Sequence, residues 1–177
     1  MSVSGVFFLF GLSGAEEADY KIYFSPLPKE VENSSNPMNK DKILLGKMLF
    51  FDPRLSKSSL VSCATCHNLS SGGVDNLPAS VGHKWQTGAR NAPTVLNAAL
   101  LSSQFWDGRA RDVEEQAKGP ILNPMEMAAT EKLAIKRINS IPQYVLLFEK
   151  AFKEDPVPLS FENIARAIAA FERTLLT

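Results

Sequence analysis

The length, composition and charge of the chain restrict its class before any motif is considered. Its 177 residues, 45% of them hydrophobic, suit one domain with a modest extension and provide enough apolar side chains for a core. Lysine plus arginine and aspartate plus glutamate number 19 each, so the net charge is zero. Because no basic excess is present to contact phosphate backbones, we expect no nucleic-acid partner.

The N-terminal part of the chain is expected to lie outside the folded domain. Residues 1–15 are typical of a secretory signal segment: an apolar run at 6–12 precedes small residues, although no Lys or Arg precedes the run. The run is too short to span a bilayer. Residues 16–36 are polar and contain prolines, so we interpret them as an N-terminal arm or linker. The domain itself is expected at 37–177.

The remainder of the sequence has helical patterns and no strand pattern, so we predict an all-α, loop-rich fold. Asp112 and Glu115 have the spacing of a capping box, which should open a helix that ends at Gly119-Pro120. Asn91 is a candidate cap for a short helix that runs through Ala99. The other predicted helices are about 37–51, Thr130 to about Asn139, Pro142 to Phe152, and the segment from Ser160.

Two apolar stripes with helical spacing are expected to face the core. The stripe of the first helix comprises Ile43, Leu44, Lys47, Met48 and Phe51. The stripe of the last helix comprises Phe161, Ile164, Ala165, Ile168, Phe171 and Leu175.

In the sequence between these two helices, the turn at 105–109 is expected to begin with buried aromatic side chains. The chain ends at Thr177 without a polar tail, and we expect it to continue in the intact protein.

The pentapeptide Cys63-Ala64-Thr65-Cys66-His67 organises the sequence. C-x-x-C-H is the attachment motif of c-type haem. On one helical turn its thiols and imidazole share a face, so both thiols can form thioethers with one haem while His67 coordinates the iron. A structural zinc site would need more Cys and His ligands than the chain has, and no strand pattern supports a thioredoxin-like motif. A disulfide between Cys63 and Cys66 is the other alternative to the predicted covalent haem c.

Haem iron has a second axial position, and His83 is the candidate ligand for it. His83 and His67 are the only histidines, and a glycine-containing loop joins them that is long enough to pass round the macrocycle. A ligand on a loop can also leave the iron and open a site for substrate. An exposed loop histidine is the alternative reading, and Met125 and Met127 are alternative sixth ligands.

Glu126 lies among apolar neighbours in the stretch 123–129. A carboxyl group in such surroundings can have a raised pKa and act as acid and base near neutral pH. Cleavage of a peroxide needs such a group, which takes a proton from one oxygen and returns it to the other. The alternatives are a solvated surface position for Glu126 and, for Trp106, core packing rather than an electron relay.

Several stretches, in the same order and at similar spacing, resemble the bacterial di-haem cytochrome c peroxidase family. The resemblance covers the chain from about residue 40 to its end. The stretches that carry it are 45–47, 50–56, 62–67, 72–76, Gly82-His83, 91–94, 105–110, Gly119-Pro120 and 123–127.

This resemblance implies the N-terminal haem domain of the family, where peroxide reacts at a low-potential haem. It implies that His67 is the proximal ligand and that His83 is the distal ligand, which leaves the iron once the other haem is reduced. Glu126 matches the acid–base residue of the family. Gln116 matches a polar residue that lines the peroxide pocket.

Two further residues match positions at the junction of the family's two haem domains. Trp106 matches the tryptophan between the haems, which is proposed to carry electrons, and Asn91 matches a ligand of the interface calcium ion. The sequence has no second C-x-x-C-H, so the C-terminal domain with its second haem c and the other calcium ligands is missing. We expect a fragment, with a natural single-domain relative as the alternative.

The function implied is that of a periplasmic cytochrome c peroxidase, which reduces hydrogen peroxide to water. A small cytochrome c or a copper protein would supply the electrons, and members of the family often form homodimers. The alternative is a non-catalytic electron-transfer or haem-sensing domain with stable six-coordinate iron, which would not need Glu126 or Gln116. A third reading within the family is oxidative modification of a partner protein.

Overall fold

The computed structural model describes residues 25–177, which are helical and rich in loops. Its α-helices are α1 (Lys40–Phe50), α2 (Cys63–Cys66), α3 (Val113–Leu122), α4 (Glu131–Asn139), α5 (Pro142–Ala151) and α6 (Phe161–Glu172). Short 3₁₀ helices lie at Pro53–Leu55, Leu69–Ser71, His83–Trp85 and Ala98–Leu100.

Residues 25–177 contain no β-strand, and isolated bridges join Val81 to Thr87 and Gln104 to Ala110. The predicted all-α, loop-rich class is therefore confirmed. The segment expected to be a signal, 1–15, lies outside the described residues. In the part of the chain that is described, no helix has the length and apolar character needed to cross a membrane.

The core is built on the packing of α1 against α6. A Cβ atom at Gly46 would lie 2.6 Å from the carbonyl carbon of Ala167, so the two backbones touch where the side chain is absent. Helices α3 and α4 also pack on α6, which is consequently buried around most of its circumference, while α5 packs on α1. The apolar centre of this packing includes Leu45, Leu49, Phe50, Phe148, Ile164, Ile168 and Phe171.

The stripe predicted for α1 is wrong. Its members Leu44, Lys47, Met48 and Phe51 are exposed, whereas the buried apolar residues of the helix are Leu45, Leu49 and Phe50. Apolar residues occupy both faces of α1, so periodicity alone does not select the inner one. The helix turns Gly46 towards α6, because only that face allows the close backbone approach.

The predicted starts of four helices agree with the structure. In three of them, the side chain before the helix accepts a hydrogen bond from a first-turn backbone N–H; these caps are Asp112, Thr130 and Ser160. Pro142 occupies the first turn of α5. Helix α6 ends at Glu172, so Leu175 of the predicted stripe lies beyond the helix.

The predicted end of α3 at Gly119-Pro120 is wrong, because the helix continues to Leu122. A proline inside a helix removes the hydrogen bond to the carbonyl group four residues earlier, which here belongs to Gln116. The next turn still closes, since the Asn123 N–H donates to the Gly119 carbonyl oxygen at 2.9 Å. One lost hydrogen bond is therefore tolerated within the helix.

Two predictions for the segment before α3 are also wrong. Asn91 caps no helix, because Pro93 disfavours a helical conformation at the preceding residue; the first helical turn is Ala98–Leu100. The turn at 105–109 does not begin with buried aromatic side chains. Trp106 is 61% exposed, and its indole N–H donates to the Asn91 carbonyl oxygen at 3.1 Å.

Asn36 anchors the end of the N-terminal arm in a buried polar network and is only 1% exposed. Its side-chain amide donates to Glu114 Oε1 and to the Arg166 carbonyl oxygen, both at 2.9 Å. Its Oδ1 accepts from Lys42 Nζ at 3.0 Å. Arg173 forms a buried ion pair with Glu114 and donates to the Asn36 carbonyl oxygen at 2.6 Å. These bonds offset the cost of burying the charges.

We predict that Asn36→Ala destabilises the protein by about 2–4 kcal/mol, because it leaves groups around Lys42 and Glu114 buried with fewer partners. The matched control is Asn33→Ala, whose side chain accepts only from the nearby Ser35. That control should cost less than about 1 kcal/mol. Urea unfolding followed by circular dichroism measures both, and equal losses would contradict the anchoring role of Asn36.

Candidate haem site

The C-x-x-C-H motif forms the helical turn that its spacing predicts. Helix α2 comprises Cys63–Cys66, and the His67 N–H donates to the Cys63 carbonyl oxygen at 2.9 Å. At its start, the Ser62 N–H donates to Thr65 Oγ1 at 2.9 Å, which fixes the first turn. Cys63 and Cys66 are free thiols rather than a disulfide. Burial raises the pKa of both thiols.

His67 is oriented by backbone carbonyl groups. Its Nδ1 lies 3.3 Å from the Gly73 carbonyl oxygen, and burial lowers the pKa of the imidazole, which favours the neutral form. A neutral imidazole that donates from Nδ1 presents the lone pair of Nε2, the usual arrangement of a metal-bound histidine. Gly73 has φ of 77°, and a Cβ there would lie 2.9 Å from Thr94 Oγ1. A glycine is therefore required where this loop meets residues 94–95.

A cavity of about 350 Å³ lies between α2 and the segment that contains His83. It is lined by Ser58, Leu60, Val61, Thr65, Cys66, Asp75, Leu77, Val81, Gly82, His83, Lys84 and Trp85. The structure thus brings Cys66 and His83 to one mostly apolar cavity. Its walls do not include Glu126 or Gln116.

His83 is 9% exposed, and within residues 25–177 neither of its ring nitrogens has a hydrogen-bond partner. Buried polar atoms in proteins are nearly always paired, so a buried imidazole without partners fits a metal ligand. The alternative of an exposed loop histidine is therefore wrong. Met127 is buried in the core and Met125 is exposed, and neither lines the cavity. Cys66 and His83 line the cavity, whereas Cys63 and His67 do not; the chemistry of these four side chains, two thiols and two imidazoles, fits a covalently attached haem.

The His83 segment is fixed against the backbone of residues 123–126. The His83 N–H donates to the Glu126 carbonyl oxygen at 2.7 Å, and Gln86 Nε2 donates to the Pro124 carbonyl oxygen at 3.3 Å. A Cβ at Gly82 would lie 2.7 Å from the Cα of Glu126. The position of His83 is therefore coupled to that of Glu126, a relation that the sequence spacing does not reveal.

Glu126 is half-buried, and its Oε1 accepts from Asn123 Nδ2 at 2.6 Å. Burial raises the pKa of the carboxyl group, while the Asn123 hydrogen bond and the charge of Arg109 oppose the shift. These surroundings allow Glu126 to hold and release a proton. Gln116 is half-buried on α3.

The structure brings Trp106 and Asn91 together at the surface through the hydrogen bond described above. Beside them, the Arg109 guanidinium stacks on the Phe105 ring at 3.5 Å from its centroid and pairs with Asp107. The Phe105 ring in turn packs on Gly119 of α3. Trp106 therefore lies at the surface, and the neighbouring Phe105 ring connects its loop to the helix that carries Gln116.

An all-α domain that has a C-x-x-C-H motif and, in addition, a buried second histidine belongs to the c-type cytochrome class. Residues 40–177 match the family described as di-haem cytochrome c peroxidase. The chain belongs to this family, and membership implies haem c as the cofactor.

Two named relatives are identical to this chain at about half of the aligned positions. The cytochrome c551 peroxidase of Pseudomonas aeruginosa is 54% identical over 155 residues, which are 87% of this chain and 45% of the relative. The cytochrome c551 peroxidase of Nitrosomonas europaea is 52% identical over 164 residues, which are 93% of this chain and 48% of the relative. The chain therefore spans about half the length of the curated relatives it matches.

A solved structure also supports the fold. The crystal structure of a MauG-like protein associated with microbial copper homeostasis superposes with a TM-score of 0.79 at 30% identity. The match covers 85% of this chain and 45% of that protein.

We predict that Gly82→Ala separates the His83 segment from residues 123–126, because the added Cβ collides with the backbone of Glu126. Hydrogen exchange of the peptide containing the His83 amide should become roughly tenfold faster, as expected for loss of one such bond. Gly88→Ala is the control, since its Cβ would meet atoms no closer than 3.6 Å. Equal exchange rates in both variants would contradict the coupling.

Proposed function

We propose that this chain is the peroxide-reducing haem domain of a cytochrome c peroxidase, which converts hydrogen peroxide to water. The observation that carries the proposal is the buried imidazole of His83, without partners in the described residues and bonded through its backbone to Glu126. The proposed distal ligand and the proposed acid–base group therefore lie on neighbouring backbone segments. An electron carrier would need the first of these but not the second.

Haem c would be held through thioethers at Cys63 and Cys66, with His67 as the proximal ligand and His83 as the distal ligand. Bound there, the haem would supply an iron centre that exchanges electrons with peroxide. The Gly73 carbonyl group keeps Nε2 of His67 available. The apolar cavity walls exclude water from the group that they enclose.

Glu126 would move a proton between the two oxygens of hydrogen peroxide and so assist cleavage of the O–O bond. The Asn123 amide holds one carboxyl oxygen, which orients the other. Gln116 would supply a polar contact to peroxide from α3. Removal of His83 from its position would open the space that peroxide needs.

Trp106 would carry electrons from a second haem domain. The half of the relatives' length that this chain does not match is long enough for such a domain. The exposure of Trp106 and its bond to Asn91 support a position at a domain junction. Asn91 is itself exposed, and its side-chain oxygen would bind a calcium ion there.

Electrons would come from a small cytochrome c or a copper protein. The protein would work in the periplasm, with a homodimer as the expected assembly.

One observation favours the alternative of an electron-transfer or haem-sensing domain. The His83 segment is held by several hydrogen bonds, including that from Gln86 Nε2 to the His83 carbonyl oxygen at 3.0 Å. A segment held in this way would keep the iron six-coordinate. The two functions therefore differ in whether His83 can leave.

We predict that His83→Ala converts the ferric haem from a low-spin form with two histidine ligands to a high-spin form. Visible absorption and EPR spectra of the haem-containing protein measure the change. Lys132→Ala is the control, because it alters an exposed side chain on α4 that does not line the cavity. An unchanged spectrum in His83→Ala would exclude His83 as a ligand. A low-spin wild-type spectrum that persists on reduction would favour the electron-transfer alternative.

We predict that Glu126→Gln slows the reaction of the reduced protein with hydrogen peroxide by roughly 10²–10⁴-fold, the usual worth of acid–base catalysis. Haem content should be unchanged. Stopped-flow absorption of a single turnover measures the rate without an electron donor. Glu149→Gln on the exposed surface of α5 is the matched control. Unaltered rates in Glu126→Gln would rule out the acid–base assignment.

A further inference from the structure

Asp75 is an acidic residue of the cavity wall that the proposed reaction does not use. It lines the same cavity as Cys66 and His83. Asp75 is half-buried, whereas Lys84, the basic residue of this wall, is exposed. None of the ion pairs found among residues 25–177 includes either of these two charged side chains. Within the part of the chain that is described, the charge of Asp75 is therefore not neutralised by an ion pair.

The loop that carries Asp75 is fixed next to His67. The Gly73 carbonyl oxygen, two residues before Asp75, accepts from the Val95 N–H at 3.2 Å and lies 3.3 Å from His67 Nδ1. Two residues of extended chain span about 7 Å, which limits how far the backbone of Asp75 can lie from Gly73. The position of Asp75 is therefore tied to that of the proposed proximal ligand.

The Asp75 side chain is itself held in a fixed position. Its Oδ1 accepts from the Leu77 N–H at 3.0 Å, a local turn that Asp and Asn side chains both form. A backbone N–H orients the carboxylate without removing its charge. Because asparagine can accept the same hydrogen bond, Asp75→Asn removes the charge and keeps the turn.

The charge of Asp75 acts on side chains that would bind the haem. Burial is the main cause of the raised pKa of the Cys66 thiol, and the charge of Asp75 contributes more to it than that of Glu126. Burial lowers the pKa of His67, while hydrogen bonds to carbonyl groups and the charge of Asp75 oppose that shift. These effects agree with the place of Asp75 on the cavity wall, which Glu126 does not line.

We propose that the negative charge of Asp75 lowers the midpoint potential of the haem attached at Cys63 and Cys66. The inference rests on the haem-binding part of the proposed function and not on peroxide turnover. Ferric haem carries one positive charge more than ferrous haem, so a nearby carboxylate stabilises the ferric form more. Reduction adds one electron from an external donor, and no proton or covalent bond is exchanged with Asp75. Lys84 acts in the opposite sense, but water screens an exposed charge more strongly.

The test measures the midpoint potential of the haem-containing protein by spectroelectrochemistry with redox mediators. At a fixed ambient potential, Asp75→Asn should raise the ratio of ferrous to ferric haem by roughly three- to tenfold, where tenfold corresponds to about 59 mV for a one-electron couple. Asp41→Asn is the matched control, because it removes the same charge from the exposed first turn of α1. That control should keep the wild-type potential.

Lys84→Gln provides the opposite sign. It should lower the ratio of ferrous to ferric haem, and by a smaller factor than Asp75→Asn raises it. A general disturbance of the cavity would instead shift both variants in the same direction, and that result would overturn the proposal. An unchanged potential in Asp75→Asn, or an equal shift in Asp41→Asn, would also overturn it.

Two further measurements separate the charge effect from other causes. EPR spectra of ferric Asp75→Asn should match the wild type, because no ligand is altered; a changed spectrum would assign the shift to ligation and overturn the proposal. Mass spectrometry should show covalent haem in the wild type and in every variant. A wild-type chain without haem would overturn the haem assignment itself, whereas an unchanged potential with haem attached would overturn only the role of Asp75.

Discussion

The contact between Gly46 and Ala167 is the constraint from which the site is positioned. It fixes α1 on α6, and the chain leaves α1 through Asp52, which accepts a hydrogen bond from Tyr144 of α5 at 2.7 Å. Arg137 of α4 then donates to three backbone carbonyl groups of the following loop, at residues 54, 56 and 57. The path into the haem motif is therefore held by the helical core, although α2 itself is only one turn long. A short helix can present three reactive side chains because its surroundings supply the rigidity.

The His83 segment is held differently, by a small balance between stabilising hydrogen bonds and backbone strain. Each backbone hydrogen bond between the His83 segment and its neighbours stabilises the closed position by about 0.5–1.5 kcal/mol. Against this, Lys84 and Trp85 have φ of 57° and 62°, and left-handed conformations of such residues cost roughly 1–3 kcal/mol each. The segment therefore stores strain directly beside the proposed ligand. In the proposed function, this balance lets a modest change at the iron release His83 without unfolding the domain.

Local signals in the sequence were sufficient for the starts of α3 to α6 and for the haem motif, because each depends on residues within one turn. The face of α1 depends on tertiary packing, and its one available signal was Gly46, since an interior helix glycine usually has a packing reason. Glu172 lies four residues after Ile168, on the predicted apolar stripe of α6. Its burial could thus have been inferred from spacing, whereas the lack of a partner could not. The bond between Asn91 and Trp106 joins separate loops, so no local pattern predicts the exposure of that tryptophan.

Glu126 and Glu172 are carboxyl residues in contrasting environments. Glu126 is half-buried, bonded to Asn123 and joined through its backbone to His83. Glu172 is buried at the end of α6, and among the described residues no hydrogen bond reaches its carboxyl group. A partly solvated carboxyl group with a hydrogen-bond donor can exchange a proton with its surroundings, whereas burial without a donor favours the neutral form. Glu126 is therefore the one of the two whose environment suits the acid–base role in the proposed function.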